Sequence, residues 1–306
     1  MSSTDASRLA RRLRAGHTVV TAEINPPRSA NAEAVRKQAR DLRGMVDAAN
    51  VTDCTRGTVR LSSTAGAILV RDEGVEPIVE MTCRDRNQIA LQSELLGLSA
   101  LGLHNVLLLT GDDPSQGDHP DAKAVFALNG TSLLAAANAM RQGTLLSGRQ
   151  MATPPSLFLG AAGDPERDIA NAANMPLTAK VEAGADFIQT QPAFDRERFA
   201  QWMELVRAAG LHERVAILAG VFLLDSVRRA EFLSSVPGVV MPADVPARLA
   251  AADDPQAEGI RLARELAEWL VTVEGVRGVH LMGLDATAGI RAVVEGSRLA
   301  DLVAAG

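Results

Sequence analysis

Short apolar runs alternate with amphipathic stretches from one end of the 306-residue chain to the other. Eight runs have the length and composition of buried strands: residues 19–24, 48–52, 77–82, 106–110, 157–160, 187–191, 215–219 and 279–283. Most are bounded by Gly, Pro, Asp or Asn, as parallel strands covered on both faces are. Between them the spacing predicts helices over 31–42, 86–101, 131–142, 172–183, 196–209, 226–234, 256–273 and 286–299. The helix over 86–101 is the clearest: Ile89, Leu91, Leu95, Leu96 and Leu98 mix with polar positions, and Gly102 follows as a stop. Asp285 stands where its carboxylate would cap the last helix. Residues 237–254 read as helical or irregular.

Eight strands alternating with helical stretches predict a single α/β domain, a (β/α)8 TIM barrel, rather than a doubly wound sheet. The doubly wound dinucleotide fold calls for GxGxxG after an early strand, and the chain has no such motif. No linker rich in Gly, Ser or Pro and no internal repeat interrupts the pattern. Residues 1–306 therefore read as one catalytic barrel domain, with 1–16 as an N-terminal helix or extension. The polar stretches 113–121 and 143–155 read as loops inserted on it.

Composition narrows the function. A net charge of −6 argues against general affinity for nucleic acid or for an anionic membrane surface. Aromatic residues are 3% of the chain and tyrosine is absent, which leaves little to stack on single-stranded bases. The apolar runs are too short to span a bilayer, and residues 1–16 lack the apolar stretch of a secretory signal. Cys54 and Cys83 have no CxxC spacing, so reduced thiols and a cytoplasmic setting are expected. The histidines are scattered, and no metal site is expected.

In a barrel of this kind, chemistry gathers at the C-terminal ends of the strands. Those ends carry carboxylates, hydroxyls, amides and glycines. Glu23 sits among apolar residues just before Pro26-Pro27. It is either a strand-end carboxylate paired with an arginine, or a partly desolvated acid suited to protonating a substrate nitrogen. Asp112 follows Gly111, where an aspartate alone reads as a turn or cap residue. Gln191 is either a satisfied polar residue at the barrel mouth or an amide that reads a heteroaromatic edge. Lys180, one of only three lysines, either snorkels over apolar neighbours or offers its charge to a phosphate or cofactor.

The order of these motifs resembles the methylenetetrahydrofolate reductase family, flavin-dependent barrel enzymes of one-carbon metabolism. The pieces that carry the resemblance are Ala22-Glu23-Ile24-Asn25-Pro26-Pro27, Met81-Thr82-Cys83-Arg84-Asp85-Arg86-Asn87 and Leu109-Thr110-Gly111-Asp112-Asp113-Pro114. Gly117-Asp118-His119-Pro120, Gly160-Ala161-Ala162, Lys180-Val181-Glu182-Ala183-Gly184-Ala185 and Phe187-Ile188-Gln189-Thr190-Gln191 follow in order. The resemblance implies FAD at the strand C-termini, reduced by NADH or NADPH, with tetrahydrofolate as the carrier of the methylene group that is reduced to methyl. It implies that Glu23 is the general acid that opens the folate ring and that Asp112 lies near flavin and pterin. It further implies that Gln191 and Phe222 contact folate, and that Thr52, Thr82, Gly111, Gly160, Ala161, Asp164 and Lys180 line the flavin. A homo-oligomer is expected, with a partner subunit in some relatives.

The chain departs from the family's habits at several positions. Ile24 and Asn25 stand where aromatics are common, Glu80 and Asp164 where histidines are, Thr110 where an arginine is, and Gly160 where a tyrosine is. These changes make the cofactor site less cationic and less aromatic and predict weak flavin binding. Two other functions fit part of the pattern. A pterin-dependent methyltransferase would also need carboxylates and amides, and a reductase-like subunit would depend on a partner protein.

Overall fold

Strand β1 (Val19–Ile24) sets the pattern for the others: its residues alternate between the barrel interior and the surrounding helices, and all but Glu23 are buried. The computed structural model describes residues 7–283 and 286–305. Seven more strands complete the wall: β2 (Ala48–Val51), β3 (Pro77–Thr82), β4 (Asn105–Leu109), β5 (Phe158–Gly163), β6 (Phe187–Pro192), β7 (Ala216–Phe222) and β8 (Val276–Met282). All neighbours pair in parallel, and β8 closes on β1 through Val19–Gly278 and Ala22–Leu281. The result is a closed (β/α)8 barrel, as the alternation predicts.

The helices in chain order are α1 (Arg8–Arg14), α2 (Ala32–Leu42), α3 (Ser63–Asp72), α4 (Gln88–Ala100), α5 (Gly130–Arg141), α6 (Pro165–Ala170) and α7 (Pro176–Glu182). Then come α8 (Arg196–Ala208), α9 (Val227–Ser234), α10 (Asp244–Ala251), α11 (Pro255–Leu270), α12 (Thr287–Glu295) and α13 (Leu299–Ala304). Side-chain caps start many of them: Asn31, Ser62, Asn87, Asn129, Asp164, Asp195 and Asp254 each accept a backbone N–H from the first turn. Helix α3 escapes the periodicity because Gly66 sits inside it; a Cβ there would lie 2.7 Å from Val51, so the helix packs tightly on β2. The helix expected over 286–299 is two helices, broken at Gly296-Ser297. Pro165 and Pro176 likewise start two short helices around the one expected at 172–183. The expected cap Asp285 lies outside the described residues.

One end of the barrel is plugged. Leu9, Ala10 and Leu13 of α1 join Val19, Ala48, Ile78, Leu107, Phe158, Phe187 and Leu218 in an apolar layer inside the strands. Buried Arg12 pairs with Asp47 at 2.9 Å, and the Glu76 carboxylate accepts the Arg8 and Leu9 amides at 2.7 Å, which fixes the plug. The barrel interior opens at the other end, at the strand C-termini. There α9 and the turn after it lean over the mouth: the Arg56 guanidinium lies 5.0 Å from the Phe232 ring centre, and Gly238 abuts the Asp164 carboxylate.

Gly160 faces the interior, and the ring of Phe187 fills the space its side chain would take, with carbons 2.3–2.8 Å from a Cβ placed there. Phe187 in turn stacks on Phe158 at 5.4 Å. Gly160→Ala should therefore displace the pair and cost about 1–3 kcal/mol by overpacking. Urea unfolding would register this as a lower midpoint; an unchanged midpoint would mean the ring has room to move.

Candidate active site

Above the apolar plug the barrel interior turns polar. Thr21 of β1, Asn50 of β2, Glu80 of β3, Gln189 of β6 and His280 of β8 are all buried and point inward. Asn50 and Gln189 exchange two amide hydrogen bonds across the barrel, at 2.8 and 3.0 Å. Asn50 also donates to a Glu80 oxygen at 3.0 Å. The Gln189 amide reaches His280 Nδ1 at 3.2 Å, and the Thr21 hydroxyl lies 3.0 Å from the same nitrogen. Burial pushes His280 down to about 3, so the ring is neutral. Burial, reinforced by the charge of Glu23, pushes Glu80 up to about 8.

Glu23 stands on the next turn of the same wall, half-buried, just before the Pro26-Pro27 turn that ends β1. One of its oxygens accepts from Asn25 Nδ2 at 2.7 Å. Asn25 is itself held by the Thr52 hydroxyl at 3.2 Å. Burial raises the acid range of Glu23, while the Asn25 hydrogen bond and the Arg60 charge pull it back. No arginine forms an ion pair with Glu23 among the described residues, and burial is the largest influence on its acidity.

Next to this layer lies a cavity of about 610 Å³, within the size range of small-molecule sites. Thr82, Gly111, Asp112, Ala161, Lys180 and Gln191 line it, with Glu80 at its floor and Asp53, Arg84 and Arg167 around it. The Asp53 carboxylate accepts from the Thr82 amide and hydroxyl, both at 2.9 Å, and from Arg86 at 2.7 Å, tying the ends of β2 and β3 together. Asp112 accepts the Arg56 amide at 2.8 Å. Cys54 and Arg56 hold φ of +48° and +57°, a conformation that costs about 1–3 kcal/mol each in a non-glycine residue and is maintained by these contacts. Lys180 donates to the Ala162 carbonyl at 2.6 Å, and burial lowers its range. The register shift at the end of β6 turns Gln191 toward the cavity, where its side-chain amide has no partner among the described residues.

The remaining expected residues lie elsewhere. Thr52 stands behind Asn25, and Gly160 belongs to the packing below. Asp164 caps α6 through the Arg167 amide at 3.0 Å. Phe222 opens with Phe194 on a separate cavity of about 540 Å³ between β7, α8, α10 and α11. Sequence reasoning did not single out Asn25 or Glu80 as working parts. The period-two alternation of β3, with Ile78, Glu80 and Thr82 on one face, carried the signal for Glu80.

A flavin dinucleotide needs cations for its diphosphate, donors along its edge and small residues where the ring lies. The cavity has Lys180 and Arg167, the latter without an ion-pair partner among the described residues, and Gly111, Ala161 and Ala162. The donor set fits such a group, but no aromatic side chain lines the cavity to stack on it. Among the described residues no group of three or more His, Cys, Asp or Glu is arranged to hold a metal ion, and no helix is long and apolar enough to cross a membrane.

A family model described as methylenetetrahydrofolate reductase matches residues 8–298. The chain is 24% identical to methylenetetrahydrofolate reductase 1 of Schizosaccharomyces pombe over 246 residues, which is 76% of this chain and 38% of that protein. It is 25% identical to a probable methylenetetrahydrofolate reductase (NADH) of Oryza sativa subsp. japonica, covering 69% of this chain and 36% of the relative. A probable methylenetetrahydrofolate reductase (NADPH) of Caenorhabditis elegans is 27% identical, over 62% and 26%. The chain thus spans well under half the length of these relatives. Among solved structures, a protein from Clostridium thermocellum that binds two copies of 5-methyl-5,6,7,8-tetrahydrofolic acid superposes with a TM-score of 0.66 at 15% identity, over 98% of this chain and all of that one. An F420-dependent secondary alcohol dehydrogenase gives 0.55 at 13% identity, over 93% and 99%. These two likenesses are of fold alone.

Because His280 stays neutral when folded, the unfolded state binds a proton near pH 6.5 that the folded state refuses until about 3. Its contribution to stability is present above pH 6.5 and is lost on acidification, at up to about 1.4 kcal/mol per pH unit. His280→Gln should flatten the melting temperature between pH 6.5 and 4 relative to the parent. Parallel curves would mean the imidazole takes up a proton in the fold.

Proposed function

Because the chain belongs to the methylenetetrahydrofolate reductase family, we propose that it reduces 5,10-methylenetetrahydrofolate to 5-methyltetrahydrofolate at the mouth of its barrel, with NADH or NADPH as hydride source. The observation that carries this reading is Glu23: a carboxyl at the open end, desolvated, hydrogen-bonded among the described residues only to Asn25, with its acid range raised. Relatives named for NADH and for NADPH support a pyridine nucleotide as the reductant. The Clostridium thermocellum protein with its bound methyl folate supports a reduced folate as the occupant.

The closed five-membered ring of the substrate is a poor hydride acceptor. Glu23 gives its proton to N10; the bond between N10 and the bridging carbon breaks with its electron pair going to N10, and a cation remains at N5 and that carbon. The Asp112 carboxylate, set in the cavity wall by the Arg56 amide, favours this cation electrostatically. The unpartnered Gln191 amide offers a donor and an acceptor to the pterin edge. Phe222 opens with Phe194 on the separate cavity and takes no part in this step. Hydride addition to the bridging carbon then yields the methyl group. FAD, when bound, would pass the hydride from the nucleotide to the folate. Lys180 and Arg167 would hold its diphosphate, and Thr82, Gly111 and Ala161 would lie along it.

With two cations and no stacking ring, FAD should be substoichiometric after purification and rebind on addition, as read by its visible spectrum. If added FAD neither binds nor supports NADH oxidation with an artificial acceptor, the hydride passes directly from nucleotide to folate.

Glu23→Gln preserves shape and hydrogen-bonding reach but has no carboxylic proton. Stopped-flow measurement should show nucleotide oxidation by the loaded enzyme near the parent rate. The folate half-reaction should fall by about 10²–10⁴-fold, the usual worth of general acid catalysis. Equal losses in both halves, accompanied by a lower melting temperature, would mark Glu23 as structural.

A further inference from the structure

Two carboxyl side chains enter the barrel from strands that share β2 as a neighbour. The register sets Glu23 of β1 beside Asn50 of β2, and the Asn50 amide reaches Glu80 of β3 at 3.0 Å. Glu80 is only 8% exposed, yet it lines the cavity floor. The ring-opening step uses Glu23 and leaves Glu80 without a task.

No cation is hydrogen-bonded to either carboxyl among the described residues. Arg86, on the strand end above, is paired with Asp53 at 2.7 Å. Arg84 is held by Asp85 at 2.7 Å and by the Cys54 carbonyl. Arg60, from the loop after β2, donates to the Pro26 carbonyl at 2.8 Å while its charge still reaches Glu23. Asp53 adds a negative charge from β2, although its backbone amide also favours the Glu80 anion. Neutral His280 lies across the barrel on β8, and Asp112, Arg167 and Lys180 line the same cavity farther round.

We propose that Glu80 is a positioning residue for the acid step: the pair holds a proton in common, and Glu80 returns a proton to Glu23 after each delivery to the folate. This rests on the folate reduction proposed above. Each reduction consumes one hydride from the nucleotide and one proton from water. When Glu23 protonates N10, its O–H bond breaks; the O–H bond of Glu80 then breaks as that of Glu23 re-forms. The Glu80 carboxylate recovers a proton from solvent through the cavity it lines, and nothing is oxidised or reduced in the relay.

The physical basis is that two like charges in a desolvated site do not ionise together, so the pair titrates in two separated steps. Burial and the charge of Glu23 push the later step, carried mainly by Glu80, up to about 8. A residue that cannot ionise at position 80 removes that step, and Glu23 alone then limits the reaction.

Glu80→Gln keeps the amide contacts and tests this without deleting volume. In the parent, the folate half-reaction should hold its rate up to about pH 8. In Glu80→Gln its alkaline limb should fall by about one pH unit or more, with nucleotide oxidation unshifted. Glu80→Asp, which restores an ionisable acid, should recover part of the limb. The carboxylic C=O infrared band, titrated in the substrate-free protein, provides a readout independent of turnover. Isolated as a difference between parent and variant spectra, the band of this pair should be lost in two steps in the parent, and in one in Glu80→Gln or Glu23→Gln. An unshifted limb with an unchanged infrared titration overturns the proposal, as does a lower melting temperature with no shift in either. If the parent reduces no folate at any pH, the reaction reading fails; two infrared steps in that protein would still uphold the shared proton, and a single step would overturn it.

Discussion

A barrel interior has to be filled, and in this chain its middle layer is filled with polar side chains. Asn50, Gln189, Thr21 and His280 satisfy one another across the barrel, and Glu80 joins them through Asn50. Unpaired polar groups in such a place would each cost about 1–3 kcal/mol, so the network specifies how β1, β2, β3, β6 and β8 face one another. It also dictates protonation: a neutral imidazole and a neutral carboxyl are what this environment tolerates. The acid chemistry proposed for Glu23 follows from the same desolvation, one step nearer the mouth.

The loops turn this layer into an accessible site. Asp53 clamps β2 to β3, Asp112 holds the backbone of Arg56, and the segment carrying α9 leans over from the opposite side of the barrel. The left-handed residues Cys54 and Arg56 persist because Arg84 and Asp112 hold the backbone on either side of them. The positions where the chain departs from its family's habits are part of this arrangement. Glu80, where a histidine is common, is a carboxyl kept neutral by burial, Gly160 gives its space to Phe187, and Asp164 caps a helix.

The eight strands were legible because their apolar runs are short, bounded and evenly spaced, and with them the position of Glu23, Asp112 and Gln191 at or near the strand C-termini. Helix α3 was not, since Gly66 reads as a break until Val51 is seen packed against it. The role of Gly160 depends on a ring 27 residues later in the chain, and no local pattern reports that contact. Phe222 ends its strand like the others, yet the insertion of α9 and α10 after it creates a second cavity and draws it there. Glu80 was within reach of a stricter period-two reading of β3, whose inward face it shares with Thr82.

On the proposed reading this barrel mouth protonates and reduces a bridged folate. The decisive experiment is a single turnover of the purified chain, with FAD supplied, against methylenetetrahydrofolate and a stoichiometric amount of reduced nucleotide. Methyltetrahydrofolate should form in equal amount to the nucleotide oxidised. Recovery of unreduced folate from a folded chain that has bound it, or nucleotide oxidation without formation of methyltetrahydrofolate, would overturn the proposal.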